Sequence, residues 1–89
     1  MTTWRLEFDN RAARQLLKLG STDRQRIRDY LDRRVLTADD PRQLGNALTG
    51  DLAGLWRYRV GHLRIVARIE DRILVIVVVE IGNRREVYR

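Results

Sequence analysis

The chain has 89 residues, 44% hydrophobic and 34% charged, which is typical of one globular domain and excludes a disordered segment. It has no cysteine, which excludes disulfides, thiolate metal sites and cysteine nucleophiles, and its single histidine argues against a zinc site. Its 18 Lys and Arg against 12 Asp and Glu give a net charge of +6, and all of these cations except Lys18 are arginines, the cation suited to bidentate phosphate contacts.

The start of the chain predicts a strand followed by a helix. Trp4-Arg-Leu-Glu-Phe8 alternates with period two, so we expect its three apolar side chains to face inward. Asp9 or Asn10 then caps a helix that runs to about Leu19 and is followed by Gly20. We expect Leu16 and Leu17 on the buried side of this helix.

A second helix follows the first. Thr22 and Gln25 have capping-box spacing and predict its start. Its expected core positions recur at helical intervals: Ile27, Tyr30, Leu31 and Val35. Asp39-Asp-Pro41 ends it, and a connection to about Gly54 carries at most one helical turn.

The second half of the chain predicts three strands: Leu55 to Val60, Leu63 to Ile69 and Ile73 to Ile81. The last is apolar on both faces, so it should be central in the sheet. The fold class is therefore α+β, with order β-α-α-β-β-β and a two-helix hairpin on a mostly antiparallel four-stranded sheet. Residues 1–89 form one domain, and the absence of a signal peptide or a membrane-length apolar run predicts a cytoplasmic protein.

Four arginines are predicted to share one face of the sheet. If Gly61-His62 is a two-residue type II′ turn, Arg59 lies opposite Arg64 and Arg57 lies opposite Val66. Arg68 falls on the same face, while the apolar residues of both strands face the core. A like-charge pair costs about 0.2–1 kcal/mol, so this face predicts a polyanion site, with a solvated sheet surface as the alternative.

The end of the chain adds to this surface. Arg84, Arg85 and Tyr88 follow Gly82 and a strand next to the arginine hairpin. Guanidinium groups and an aromatic ring together suit single-stranded RNA, which is bound through phosphates and stacked bases.

Several segments resemble the RelE branch of the RelE/ParE toxins of bacterial toxin–antitoxin modules. They are Leu17-Lys-Leu-Gly-Ser21, Leu48-Thr-Gly50, Leu55-Trp-Arg-Tyr-Arg-Val-Gly-His-Leu-Arg-Ile-Val66 and Ile81-Gly-Asn-Arg-Arg-Glu-Val-Tyr88. The resemblance implies a RelE-like microbial RNase fold and cleavage of messenger RNA in the ribosomal A site, without a metal or another cofactor. It also implies an antitoxin with an acidic segment across the basic face, and operator DNA bound only by the toxin–antitoxin complex.

The resemblance implies roles for individual residues. The catalytic set is Arg59, Arg64, Arg84 and Tyr88, and Arg57 and Arg59 bind RNA. The sequence pattern itself adds Arg68, Arg85 and His62 to the RNA-binding set. Tyr88 is either the base or a group that orients the ribose 2′-hydroxyl. Well-studied members have lysine where this chain has Arg57 and Arg59, and arginine cannot act as a base, so the base stays unassigned. A gyrase inhibitor of the ParE type and an inactive RNA-binding member are the alternatives.

Overall fold

The structure, a computed structural model, describes residues 3–83. The elements in chain order are β1 (Arg5–Phe8), α1 (Asn10–Lys18), α2 (Ser21–Tyr30), β2 (Asn46–Ala47), β3 (Trp56–Val60), β4 (Leu63–Glu70) and β5 (Val75–Asn83). The strands form one sheet in the order β1-β5-β4-β3-β2, in which only β1 and β5 are parallel. The predicted α+β fold is confirmed. The sheet has a fifth strand, β2, whose two residues are too few to show a periodic pattern in the sequence.

The two helices cover one face of the sheet. Ala12 and Leu16 of α1 and Ile27 of α2 pack with the inward side chains of β3, β4 and β5 in a single core. The chain continues from α2 through one π-helical turn, Leu31–Val35, whose first and last residues are also buried. β5 is internal, as predicted, and Val75 to Val78 are buried on both of its faces.

Two details of the helices differ from the sequence prediction, and a third agrees with it. Leu17 is 73% exposed, because only Leu16 of the adjacent leucines has the helical phase that points to the sheet. α2 begins at Ser21, one residue before Thr22, and its N-cap Gly20 makes no side-chain hydrogen bond, so the capping box is wrong. The predicted cap of α1 is confirmed, since Asp9 Oδ1 accepts a hydrogen bond from the Ala12 amide at 2.8 Å.

The connection between α2 and β3 is tied to the sheet by polar contacts. It contains two short 3₁₀ turns in addition to β2. The buried Tyr58 hydroxyl donates to the Pro41 carbonyl at 2.9 Å, and burial raises the pKa of this phenol. Arg42 forms a two-pronged ion pair with Asp71 and holds the pKa of that carboxyl below its usual value. These contacts tie the connection to β3 and to the turn that follows β4.

Beyond the end of β1, a side chain of α1 binds the exposed backbone edge of β5. The β1–β5 pairing stops at Phe8 and Val78, and the Ile81 amide further along β5 donates to Gln15 Oε1 of α1 at 2.7 Å. Without this acceptor the amide would be a partly buried donor on an open edge. Within residues 3–83, no helix is long and apolar enough to cross a membrane.

Candidate nucleic-acid interface

The hairpin of β3 and β4 has the register that the sequence predicts. Val60 pairs with Leu63, Arg59 with Arg64 and Arg57 with Val66. Gly61 has φ of +60°, whereas His62 does not have positive φ, which is the pattern of a type II′ turn. The four arginines of the hairpin therefore lie on the sheet face that points away from the helices.

The four arginines differ in depth. Arg64 is only 3% exposed, Arg57 is half-buried, and Arg59 and Arg68 are exposed. Arg64 lies on β4, and the flanking strands β3 and β5 shield its side chain from solvent. Alternation in the sequence predicts the face of a side chain but not this burial. We define the arginine face as the sheet face, directed away from the helices, that carries Arg57, Arg59, Arg64 and Arg68.

Acidic side chains also lie on the arginine face. β4 extends to Glu70, whose Oε1 accepts a hydrogen bond from Arg68 Nε at 2.5 Å. The strand is thus one residue longer than predicted, and the additional residue brings an acid onto the arginine face. Glu80 of β5 pairs in register with Val66 and forms an ion pair with Arg11 of α1 at 2.5 Å.

His62 is directed toward α2. Its Nε2 lies 3.3 Å from Asp23 Oδ2, and its side chain is 53% exposed. A cleft of about 280 Å³ beside this pair is lined by Leu63 and Ile81, with Gln15 and Lys18 of α1. His62 thus connects the turn of the hairpin to the helix layer, and its role as an RNA or ribosome contact stays a prediction.

The structure brings Arg57, Arg59 and Arg64 together in two neighbouring rows of the sheet and places Arg68 further along the same face. The predicted residues Arg84, Arg85 and Tyr88 lie outside the described residues. The residues that sequence reasoning missed are Glu70 and Glu80. The signal for Glu80 was available, since it is the one charged residue in the otherwise apolar run from Ile73 to Ile81.

Metal ligands are not gathered at this site. Residues 3–83 contain no group of three or more His, Asp and Glu side chains placed to hold a metal ion. The described side chains of the arginine face are guanidinium groups, which stabilise negative charge, and carboxylates.

The comparison with known protein families assigns the chain. The family model of the ParE toxin of type II toxin–antitoxin systems matches residues 6–88. The chain belongs to the ParE toxin family. It is thus a toxin of the RelE/ParE superfamily, as its sequence motifs indicate.

Solved structures relate this toxin to the RelE branch. The Mycobacterium tuberculosis RelBE2 toxin–antitoxin complex contains a chain of 25% identity, with a TM-score of 0.85 and 94% of each chain covered. A mutant of the Escherichia coli toxin RelE in the free state is 30% identical, with a TM-score of 0.76 over 94% of this toxin and 86% of RelE. The YoeB/ParE toxin of Agrobacterium tumefaciens, at 17% identity and a TM-score of 0.66, shares the fold over 90% of this toxin and 98% of its own chain. No significant match is found among curated proteins.

Proposed function

We propose that this toxin is a ribosome-dependent, metal-independent endoribonuclease that cleaves messenger RNA in the ribosomal A site and so inhibits translation. The observation that carries the proposal is the register that sets Arg59 opposite Arg64, with Arg57 in the next row, on the face away from the helices. A cluster of this kind is unfavourable by itself. A bound polyanion removes the repulsion between the arginines. The RelE-like fold of the toxin supports RNA as this polyanion.

The reaction has three requirements. The 2′-hydroxyl must lose a proton, the added negative charge on the phosphorane must be stabilised, and the leaving 5′-oxygen must be protonated. Arg64 suits the second task, because a buried guanidinium is held in place before the reaction and pays no reorganisation during it. Arg84 is proposed to share that task, and Tyr88 to orient the 2′-hydroxyl.

The remaining arginines are proposed to hold the RNA. Arg59 is exposed and Arg57 half-buried beside it, so both can reach phosphates that flank the reacting one. Arg68, Arg85 and His62 are assigned weaker contacts further from the reacting phosphate. Binding through so many phosphates should be strongly salt-dependent.

Dependence on the ribosome follows from the side chains present. Arginine cannot exchange a proton near neutral pH, so the arginines can bind and stabilise a phosphate but cannot by themselves orient a freely moving RNA for proton transfer. Correct positioning of the substrate is worth about 7–11 kcal/mol in well-oriented reactions. We propose that the ribosomal A site provides this positioning, which places the toxin's action in the cytoplasm.

An antitoxin is the proposed protein partner. The RelE-like neighbours include toxin–antitoxin complexes from M. tuberculosis and E. coli. The net charge of +6 and the exposed Arg59 favour an acidic antitoxin segment across the arginine face. We further propose that operator DNA is bound only by the toxin–antitoxin complex.

A gyrase inhibitor is the second candidate, because the matching family model is that of ParE toxins. A toxin of this class would act on a protein and would need no phosphate-binding row. An inactive RNA-binding member is the third possibility. Both predict intact messenger RNA in the assay below.

The test is cleavage of a defined messenger RNA by purified toxin, with and without programmed ribosomes. We expect cleavage at least 100-fold faster on ribosomes, and loss of cleavage in Arg64→Ala with a native unfolding profile. Arg72→Ala is the matched control, since Arg72 is an exposed arginine in the turn between β4 and β5. Equal rates on free and ribosome-bound RNA, or equal losses in Arg64→Ala and Arg72→Ala, would contradict the proposal.

A further inference from the structure

The proposed cleavage needs a proton acceptor, and the arginine rows do not provide one. A carboxylate in contact with the same substrate would complete the chemistry. Glu80 of β5 has a suitable position, because a β-bulge in this strand turns its side chain toward the arginines.

A β-bulge reverses the phase of β5 just before Glu80. Ala67 pairs with Val78, but the preceding residue Val66 pairs with Glu80, so Val79 is an extra residue. Regular alternation from Val78 would direct residue 80 into the core. With the bulge, Ile81 takes the core position and Glu80 shares the face of Val66. Bulges are frequent next to active sites because they redirect a side chain in this way.

The bulge places Glu80 next to the arginines. The register gives one row of Arg57, Val66 and Glu80, and a neighbouring row of Arg59, Arg64 and Gly82. Glu80 is thus a diagonal neighbour of Arg64, at the spacing of about 7–8 Å that long side chains can bridge. Gly82 has no side chain, so β5 places none directly opposite Arg64.

The surroundings of Glu80 are charged and partly shielded. Its side chain is 20% exposed and pairs with Arg11 of α1. Glu7 of β1 shares the face one row further on, opposite Val77. Glu80 is the carboxylate of this face that is a diagonal neighbour of Arg64, whereas Glu70 is bound to Arg68 and Glu7 lies on the edge strand β1.

We propose that Glu80 is the general base of this site, an inference that rests on the proposed ribonuclease function. Its carboxylate takes the proton of the 2′-hydroxyl as the 2′-oxygen forms a bond to phosphorus. The bond between phosphorus and the 5′-oxygen breaks, the leaving 5′-oxygen takes a proton from solvent, and the products are a 2′,3′-cyclic phosphate and a 5′-hydroxyl. Arg64 stabilises the charge that develops on the phosphate.

The test compares Glu80→Gln, Glu80→Asp and Arg11→Gln in single-turnover cleavage of messenger RNA on programmed ribosomes, with ribosome binding measured in parallel. Positioned general bases contribute about 10²–10⁴-fold, so Glu80→Gln should cleave at least 100-fold more slowly. Its binding should be equal to or tighter than that of the wild type, because a negative charge has been removed. Glu80→Asp should recover part of the rate.

Arg11→Gln separates catalysis from a structural ion pair. It breaks the same pair but keeps the carboxylate, so we expect less than 10-fold loss of rate. Equal losses in Arg11→Gln and Glu80→Gln, or an unchanged rate in Glu80→Gln, would overturn the inference alone. Absence of cleavage by the wild-type toxin would overturn the proposed function and this inference with it.

Discussion

Individual residues of the arginine face have different environments, which the sequence did not reveal. Alternation in β3 and β4 predicted correctly which residues share a face. It could not predict depth, because depth depends on which strands flank each position. Arg64 is therefore buried, while Arg68 is exposed and bound to Glu70.

This difference predicts different salt dependences for single-stranded RNA binding. Arg59→Ala should lower the slope of log affinity against log salt by about 0.7, the value for one lost phosphate contact on a single strand. Arg68→Ala should lower it less, because the Arg68 guanidinium already contacts Glu70. The measurement is a binding titration at several salt concentrations. Equal slopes for Arg59→Ala and the wild type would remove Arg59 from the interface.

The buried Tyr58 gives a prediction for stability. Tyr58→Phe removes the donor to the Pro41 carbonyl and should lower the free energy of unfolding by about 1–3 kcal/mol. Tyr30→Phe is the control, since Tyr30 is only half-buried and no hydrogen bond of its hydroxyl is found within residues 3–83. Denaturant titration of both variants provides the comparison, and an equal effect of the two changes would contradict the assigned hydrogen bond.

Tyr58 should also affect the pH dependence of stability. Burial raises its pKa above the ordinary value of 10.0, so the folded state keeps the phenol proton more tightly than the unfolded state. The stabilising contribution is complete below pH 10 and is lost as the pH rises above it. The wild type should therefore lose more stability than Tyr58→Phe in this range, and parallel losses would contradict the burial.

At the scale of elements, local turn chemistry was a better guide than apolar periodicity. Gly61-His62 specified the turn, and the turn specified every pair of the β3–β4 hairpin. The bulge in β5 was missed because Val75 to Val79 are all apolar. Without alternating polar residues, the sequence does not show which side chains face the core or where that alternation shifts. The misassigned Leu17 has the same cause, since two adjacent leucines leave the phase of α1 open.

The contact between α1 and the edge of β5 is testable by substitution. Gln15→Leu removes the acceptor for the Ile81 amide and should cost about 1–3 kcal/mol of unfolding free energy. Hydrogen exchange at Ile81 should become faster. Gln25→Leu is the control, because Gln25 bonds only the exposed Asp29 on its own helix within the described residues. Unchanged exchange at Ile81 in Gln15→Leu would show that another group satisfies this amide.

For the whole molecule, composition and the predicted element order were sufficient for the fold class, and the resemblance of the sequence motifs indicated the family. The family model then extended over nearly the entire chain. The candidate site was predicted only in part. The alternation of β3 and β4 predicts the face of the arginines, whereas Glu80 lies on that face because of a bulge that the sequence does not show. A site assembled from three strands and one helix depends on register, which single-sequence patterns specify only where a turn fixes it.

Mapping messenger RNA ends in bacteria after controlled expression of the toxin tests the proposed cleavage directly. Primer extension should show new 5′ ends within translated codons soon after growth arrest. These ends should be absent with Arg64→Ala and retained with Arg72→Ala. Growth arrest by the wild-type toxin with intact messenger RNA would contradict the account and favour a gyrase-directed toxin.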